Sequence, residues 1–156
     1  MPNYAGFRSD QAGCDFAEVE IDVETGAVAV LNVTAVHDAG WIVNPLTARN
    51  QVNGGVLMGI GFALFEERRF DPAIGLMVNP TMDDYKLPGP LDTPQITALF
   101  VEVANGLSNT GVLGLGEAVH VAVAAAIACA VYDAIGAPVR SLPMTPDKVL
   151  AAMGKA

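Results

Sequence analysis

From Asp15 to Glu24 apolar and acidic positions interleave, with Phe16, Val19, Ile21 and Val23 set between Glu18, Glu20, Asp22 and Glu24. A period of two belongs to a strand with one face covered. Glu24-Thr25-Gly26 supplies a turn, and the alternation resumes over Ala27–Ala35 through Val28, Val30, Asn32 and Thr34. The pattern predicts a β-hairpin, leaving through a turn at His37-Asp38-Ala39-Gly40. Asn44-Pro45 then opens a helix, because proline suits the first helical turn. That helix is expected to run from Leu46 through Ala63 to Glu67. Gly54, Gly55, Gly59 and Gly61 each cost a helix about 1 kcal/mol relative to Ala, so an element is expected to press against that backbone. Asp71–Gly75 reads as a turn, Leu76–Asn79 as a short strand, and Thr81–Leu87 as an irregular element closed by Pro88-Gly89-Pro90.

Ile96–Val103 is apolar and β-rich, hence a buried strand, and Ala104–Thr110 is a polar loop. Ala118–Ile135 is expected to be a helix capped by Gly136. Ala137–Ser141 is extended, and Thr145-Pro146-Asp147 starts a last short helix through Met153. Strands and helices mingle without a strict βαβ repeat. The expected fold is α+β: a hairpin and mixed short strands packed with a glycine-rich and an alanine-rich helix, in one domain over residues 1–156.

Composition sharpens this picture. Apolar residues make up 52 % of the 156 and charged ones only 16 %, dry for a free-standing domain. Another polypeptide is therefore expected to cover much of the surface. The formal charge of −9 and the scattered Lys/Arg, adjacent only at Arg68-Arg69, argue against nucleic acid. Cys14 and Cys129 form no CxxC pair and fit buried thiols of a reducing compartment. No signal-peptide pattern is visible, and the apolar run Ala118–Val131 is too short to span a bilayer. A soluble protein of the cytoplasm is expected.

The richest candidate for chemistry is Gly111-Val112-Leu113-Gly114-Leu115-Gly116-Glu117. Glycines let backbone approach a ligand closely, and a carboxylate at a helix start in apolar surroundings suits a base. Glu117 need do no more, on local sequence, than complement a helix dipole. The loop lacks the G-x-G-x-x-G spacing of dinucleotide sites. Gln51, in Asn50-Gln51-Val52-Asn53-Gly54-Gly55, donates and accepts hydrogen bonds at once, which suits an oxo or pterin group; a capping or surface amide fits equally. His37 reads as a cap or bridge at its strand end, His120 as a core or interface histidine, and Tyr85-Lys86 as a packing aromatic beside a solvated cation.

Taken in order, the blocks FAEVEIDVETGAVAVLNVTAVHDAGWIVNP, QVNGGVLMGIGFALFEE, NPTMDDYKLPGPLDTP, GVLGLGEA and VAAAIACAVYDAIG…LPMTPDKVL resemble the C-terminal part of the molybdenum-binding subunit of the xanthine dehydrogenase/aldehyde oxidase family of molybdenum hydroxylases. The resemblance runs from about Cys14 to the end. It implies a molybdopterin cofactor, often the cytosine dinucleotide in bacteria, whose molybdenum is not ligated directly by this chain. It places the family's catalytic glutamate on Glu117, as the base that deprotonates a hydroxide on the metal. It places a cofactor-bonding glutamine on Gln51 and close backbone approach at Gly114, Leu115 and Gly116. The implied reaction oxidises an aldehyde or an N-heteroaromatic carbon with oxygen from water. Electrons then leave through iron–sulfur clusters and FAD on partner subunits.

The sequence departs from the family at Leu113, where many members have Lys, and at Ala118-Val119, where they have Pro-Pro. Asn50 stands for a usual glycine and Asn53 for a usual acid. Family subunits are several times longer, so a larger molybdenum-binding chain is expected to complete the site, with this chain inactive alone. Met1 and the extended start favour a separate subunit over a fragment. A non-catalytic structural subunit of such a complex is the alternative.

Overall fold

In a computed structural model, residues 11–103 and 109–155 are described. The hairpin is present. Strand β1 (Ala12–Ile21) pairs antiparallel with β2 (Val28–Asp38). The turn between them is held by the Asp22 carboxylate, which accepts from the N–H groups of Glu24 and Thr25, and by Gly26 at φ 76°. The inward face is the expected one at Val19, Ile21, Val28 and Val30, and differs at Phe16 and along β2 beyond Val30. The pairing shifts at Glu18/Val19, which leaves Leu31 of β2 without an opposite residue. A bulge of this kind reverses the phase of alternation. Val28 and Val30 face inward before it, and Val33, Ala35 and His37 after it. On β1 the inward set is Asp15, Ala17, Val19 and Ile21, while Phe16 is turned out and 61 % exposed.

Helix α1 (Pro45–Ile60) is capped by Asn44, whose Oδ1 accepts from Leu46 N at 3.0 Å and Thr47 N at 3.2 Å. The helix does not continue regularly to Glu67. Gly61–Phe65 widens into a π turn closed by Glu66 N donating to Gly61 O at 2.8 Å. The Glu66 carboxylate folds back on Gly61, where a Cβ would collide with it, and accepts from Tyr85 Oη at 2.7 Å. Leu76–Asn79 is not a strand beyond a single bridge, Phe70 to Met77. That loop is closed instead by the Asn79 side chain, which accepts from Arg69 N and donates to Glu67 O. A short 3-10 turn, Pro90–Asp92, leads into β3 (Gln95–Phe100), parallel to β2. The sheet order is β1-β2-β3. Being paired on one side only, β3 is a half-covered edge with Leu99 48 % exposed, not a buried strand.

The second long helix starts late. Glu117–His120 is a 3-10 turn, and α2 spans Val123–Ile135, ended by Gly136 at φ 71°. Glu117–Ile135 as a whole is long and apolar enough to cross a bilayer by length and composition, more than the sequence reading allowed. Its α-helical part, 13 residues, reaches about 20 Å against a hydrocarbon core of about 30 Å. Its stripe Val119, Val123, Ile127 and Val131 is fully buried against Val33, Ala35, Val52, Val56 and Ile60. Helix α3 (Pro146–Ala152) closes the chain, its start packed under the hairpin turn, where a Cβ on Gly26 would strike Pro146.

The glycines of α1 divide by face. Gly55 and Gly59 abut Val119 and Val123 so closely that no Cβ fits, as the sequence led one to expect. Gly54 faces open space. Both cysteines are exposed, contrary to the expectation of buried thiols: Cys14 lies on the outward phase of an edge strand, and Cys129 lies off the buried stripe of α2.

Candidate functional site

The glycine loop is tethered to the exit of β2. Trp41 N donates to Gly111 O at 3.0 Å, Leu113 N donates to Ala39 O at 2.9 Å, and Gly40 forms a bridge with Val112. Gly40 and Gly111 both have positive φ, and a Cβ on Gly111 would strike the Trp41 ring. These contacts aim the following residues back across α1. There Gln51 Nε2 donates to Gly116 O at 3.0 Å, joining positions 65 residues apart. Gln51 and the residue before Glu117 are thus brought together.

Gly114 and Gly116 have nothing within 4 Å of where a Cβ would stand, and neither has Gly54, one turn beyond Gln51 on α1. Gly114, Gly116 and Glu117 are exposed, and Leu115 is half-buried against the core. A shallow cavity of about 380 Å³ is lined by Trp41, Asn44, Thr47, Gln51, Leu113 and Leu115 among others, but not by Gly114, Gly116 or Glu117. Trp41 carries no signal in the sequence, and Asn44 is legible there only as a helix start. The tether of Trp41 to Gly111 was invisible there, since it depends on the loop folding back. Among the described residues no three His, Cys, Asp or Glu side chains stand together as metal ligands.

The apolar enclosure expected around Glu117 is not provided by the described residues. Glu117 is exposed at the start of its 3-10 turn, and α2 begins only at Val123. His120, half-buried, meets Phe62 edge to face at 5.9 Å between ring centroids. Tyr85 bonds Glu66, and Lys86 Nζ lies 5.1 Å from the Phe65 ring centroid.

His37 is no strand-end cap. It is 2 % exposed and its Nε2 stands 3.8 Å from Oδ1 of the buried Asp15. Among the described residues neither Asp15 oxygen nor His37 Nε2 has a hydrogen-bond partner. Burial raises the Asp15 pKa above its ordinary value, with His37 opposing. Burial lowers that of His37, with Asp15 opposing. The apolar pattern pointed to Phe16 rather than Asp15 as the inward residue at this end of β1, so Asp15 did not stand out in the sequence.

Residues 3–94 match the family of molybdopterin cofactor-binding domains. The chain belongs to that family. It is 43 % identical over 137 residues to the putative xanthine dehydrogenase molybdenum-binding subunit XdhA of Escherichia coli K12, covering 88 % of this chain and 18 % of that protein. It is 43 % identical over 136 residues to the aldehyde oxidoreductase molybdenum-binding subunit PaoC of the same strain, covering 86 % and 19 %. The aldehyde oxidoreductase structure from Desulfovibrio desulfuricans superposes with a TM-score of 0.83 at 34 % identity, covering 92 % of this chain and 15 % of that one. The chain therefore spans under a fifth of the length of these relatives. Its sheet and helices are those of the molybdenum-binding part of such oxidoreductases. The glycine loop and Glu117 lie beyond the matched residues 3–94.

The residues present suit a molybdopterin. A pterin needs paired donors and acceptors and close backbone approach, and here an amide is fixed beside two glycines whose open faces leave room for both.

Proposed function

We propose that this chain forms one wall of the molybdopterin pocket of a cytoplasmic molybdenum hydroxylase and carries its general base, Glu117. The enzyme would oxidise an aldehyde or an electron-poor N-heteroaromatic carbon with oxygen from water. The observation that carries this reading is the Gln51–Gly116 hydrogen bond, which holds an amide next to the backbone preceding Glu117. Molybdopterin, in its cytosine dinucleotide form, would supply when bound the metal centre that takes two electrons from the substrate carbon. Gln51 would bond the cofactor and keep the loop in place. Leu115, seated against the core, would anchor the loop, while Gly114 and Gly116 admit the cofactor to the backbone. Glu117 would accept a proton on its carboxylate as the new carbon–oxygen bond forms.

A larger molybdenum-binding chain would close the site, excluding water from around Glu117. Further partners would carry the iron–sulfur and flavin groups that take up the electrons. The test is Glu117→Gln in the assembled complex. Turnover should fall by about 10²–10⁴-fold, the usual contribution of a positioned base, with molybdenum content near normal. Unchanged turnover removes the base assignment. An assembled complex without molybdenum favours a structural subunit instead.

A further inference from the structure

A groove of about 860 Å³ runs between β1 and α2. One wall is strand β1, ten residues long and, among the described residues, paired on one side only. Such an edge offers a row of unused backbone donors and acceptors to an added strand. The other wall is a face of small side chains on α2, including Ala125, Ala126 and Cys129, which would let a second backbone lie close. Asp15 lines the same groove with its side chain fully buried, and among the described residues neither oxygen has a hydrogen-bond partner. A buried carboxylate in that state is costly until a donor reaches it. Gly13 and Ala122 belong to this groove and also to a smaller cavity reaching Ala118 and His37. The groove is therefore continuous with the back of the turn that carries Glu117.

From these features we infer that the groove is where the missing bulk of the molybdenum-binding subunit docks, as an extended segment that pairs with β1, crosses the alanine face of α2 and brings a hydrogen-bond donor to Asp15. The inference rests on the proposed function for the identity of the occupant. The chain spans under a fifth of its relatives' length, so the occupant is a large polypeptide already required to close the site. The smaller cavity that shares Gly13 and Ala122 with the groove extends it to Ala118, the residue after Glu117.

The two cysteines make the groove testable, since Cys14 and Cys129 both line it and both are exposed. Alkylation by N-ethylmaleimide is followed by mass spectrometry on the isolated chain and on the tagged chain purified in complex from its native host, with molybdenum measured in parallel. Both thiols should react freely in the isolated chain and at least tenfold more slowly in the molybdenum-bearing complex. Ala125→Arg should reduce recovered complex at least tenfold while leaving the circular dichroism of the isolated chain unchanged, and Ala73→Arg, in an exposed turn, should do neither.

A molybdenum-bearing complex whose thiols react as fast as in the isolated chain overturns the docking surface and leaves the proposed function standing. A complex with protected thiols but no molybdenum keeps the docking surface and overturns the function. Thiols already protected in the isolated chain, by its own leading residues or by a second copy, overturn the docking surface. So does a chain that recruits no partner at all, which also overturns the function.

Discussion

His37 and Asp15 show how two side chains can set the acid limit of the whole chain. The imidazole is favoured neutral in the fold because burial opposes its charge. With its folded pKa below the ordinary 6.5, the unfolded chain binds the extra proton first. Stability is therefore complete above pH 6.5 and falls as pH drops through 6.5 toward the folded value. Asp15, raised from 3.8, works the other way: its cost is absent below pH 3.8, grows as pH rises from there and is complete above the raised folded value. His37→Leu should flatten the loss of stability between pH 7 and pH 5.5, measured by urea unfolding at each pH; an unchanged slope removes His37 as its source. Gln51 acts through one bond to Gly116 O. Gln51→Ala should lower molybdenum occupancy of the assembled complex a few-fold, matching about 1 kcal/mol for such a bond, with circular dichroism unchanged.

Among the elements, the crossing of α1 over Glu117–Ile135 decides where the site residues stand. Gly55 and Gly59 let Val119 and Val123 seat against the α1 backbone, which places Gln51 within reach of Gly116. Gly59→Ala improves helix propensity by up to about 1 kcal/mol. It also forces a methyl into the Val123 side chain, and overpacking costs about 1–3 kcal/mol. The net result should be a lower urea midpoint. Gly54→Ala meets open space and should raise that midpoint, gaining up to about 1 kcal/mol. Equal effects at the two positions would mean that the helix crossing is looser than described.

At the scale of the molecule, the exposed apolar residues define what is missing. Phe16, Leu99, Val43 and Leu91 are 61, 48, 80 and 102 % exposed, in a chain with 16 % charged residues. Scattered apolar exposure is ordinary, but here it accompanies an open glycine face and, among the described residues, a free strand edge. The isolated chain should therefore retain no molybdopterin through gel filtration, whereas the assembled complex should carry molybdenum by metal analysis. Cofactor held by the isolated chain would mean that one wall suffices for binding.

Local pattern by itself determined the hairpin, the Asn44-Pro45 helix start, the Gly136 stop and the short last helix. Each depends on side chains within a few residues: alternation, a capping oxygen, a glycine at positive φ. The ordered blocks likewise carried the family, and Gln51 and Glu117 were legible as candidates because their types and glycine neighbours are unusual. Only the tertiary structure decided that the inward face of β2 switches phase after Val30, because the bulge at Leu31 arises from pairing with β1. It alone showed that β3 is an edge, that Cys14 and Cys129 line a groove, and that His37 is buried beside Asp15. It also placed Gln51 against Gly116, across 65 residues of sequence. Those outcomes depend on which distant backbone lies alongside, a matter of packing that no local spacing encodes.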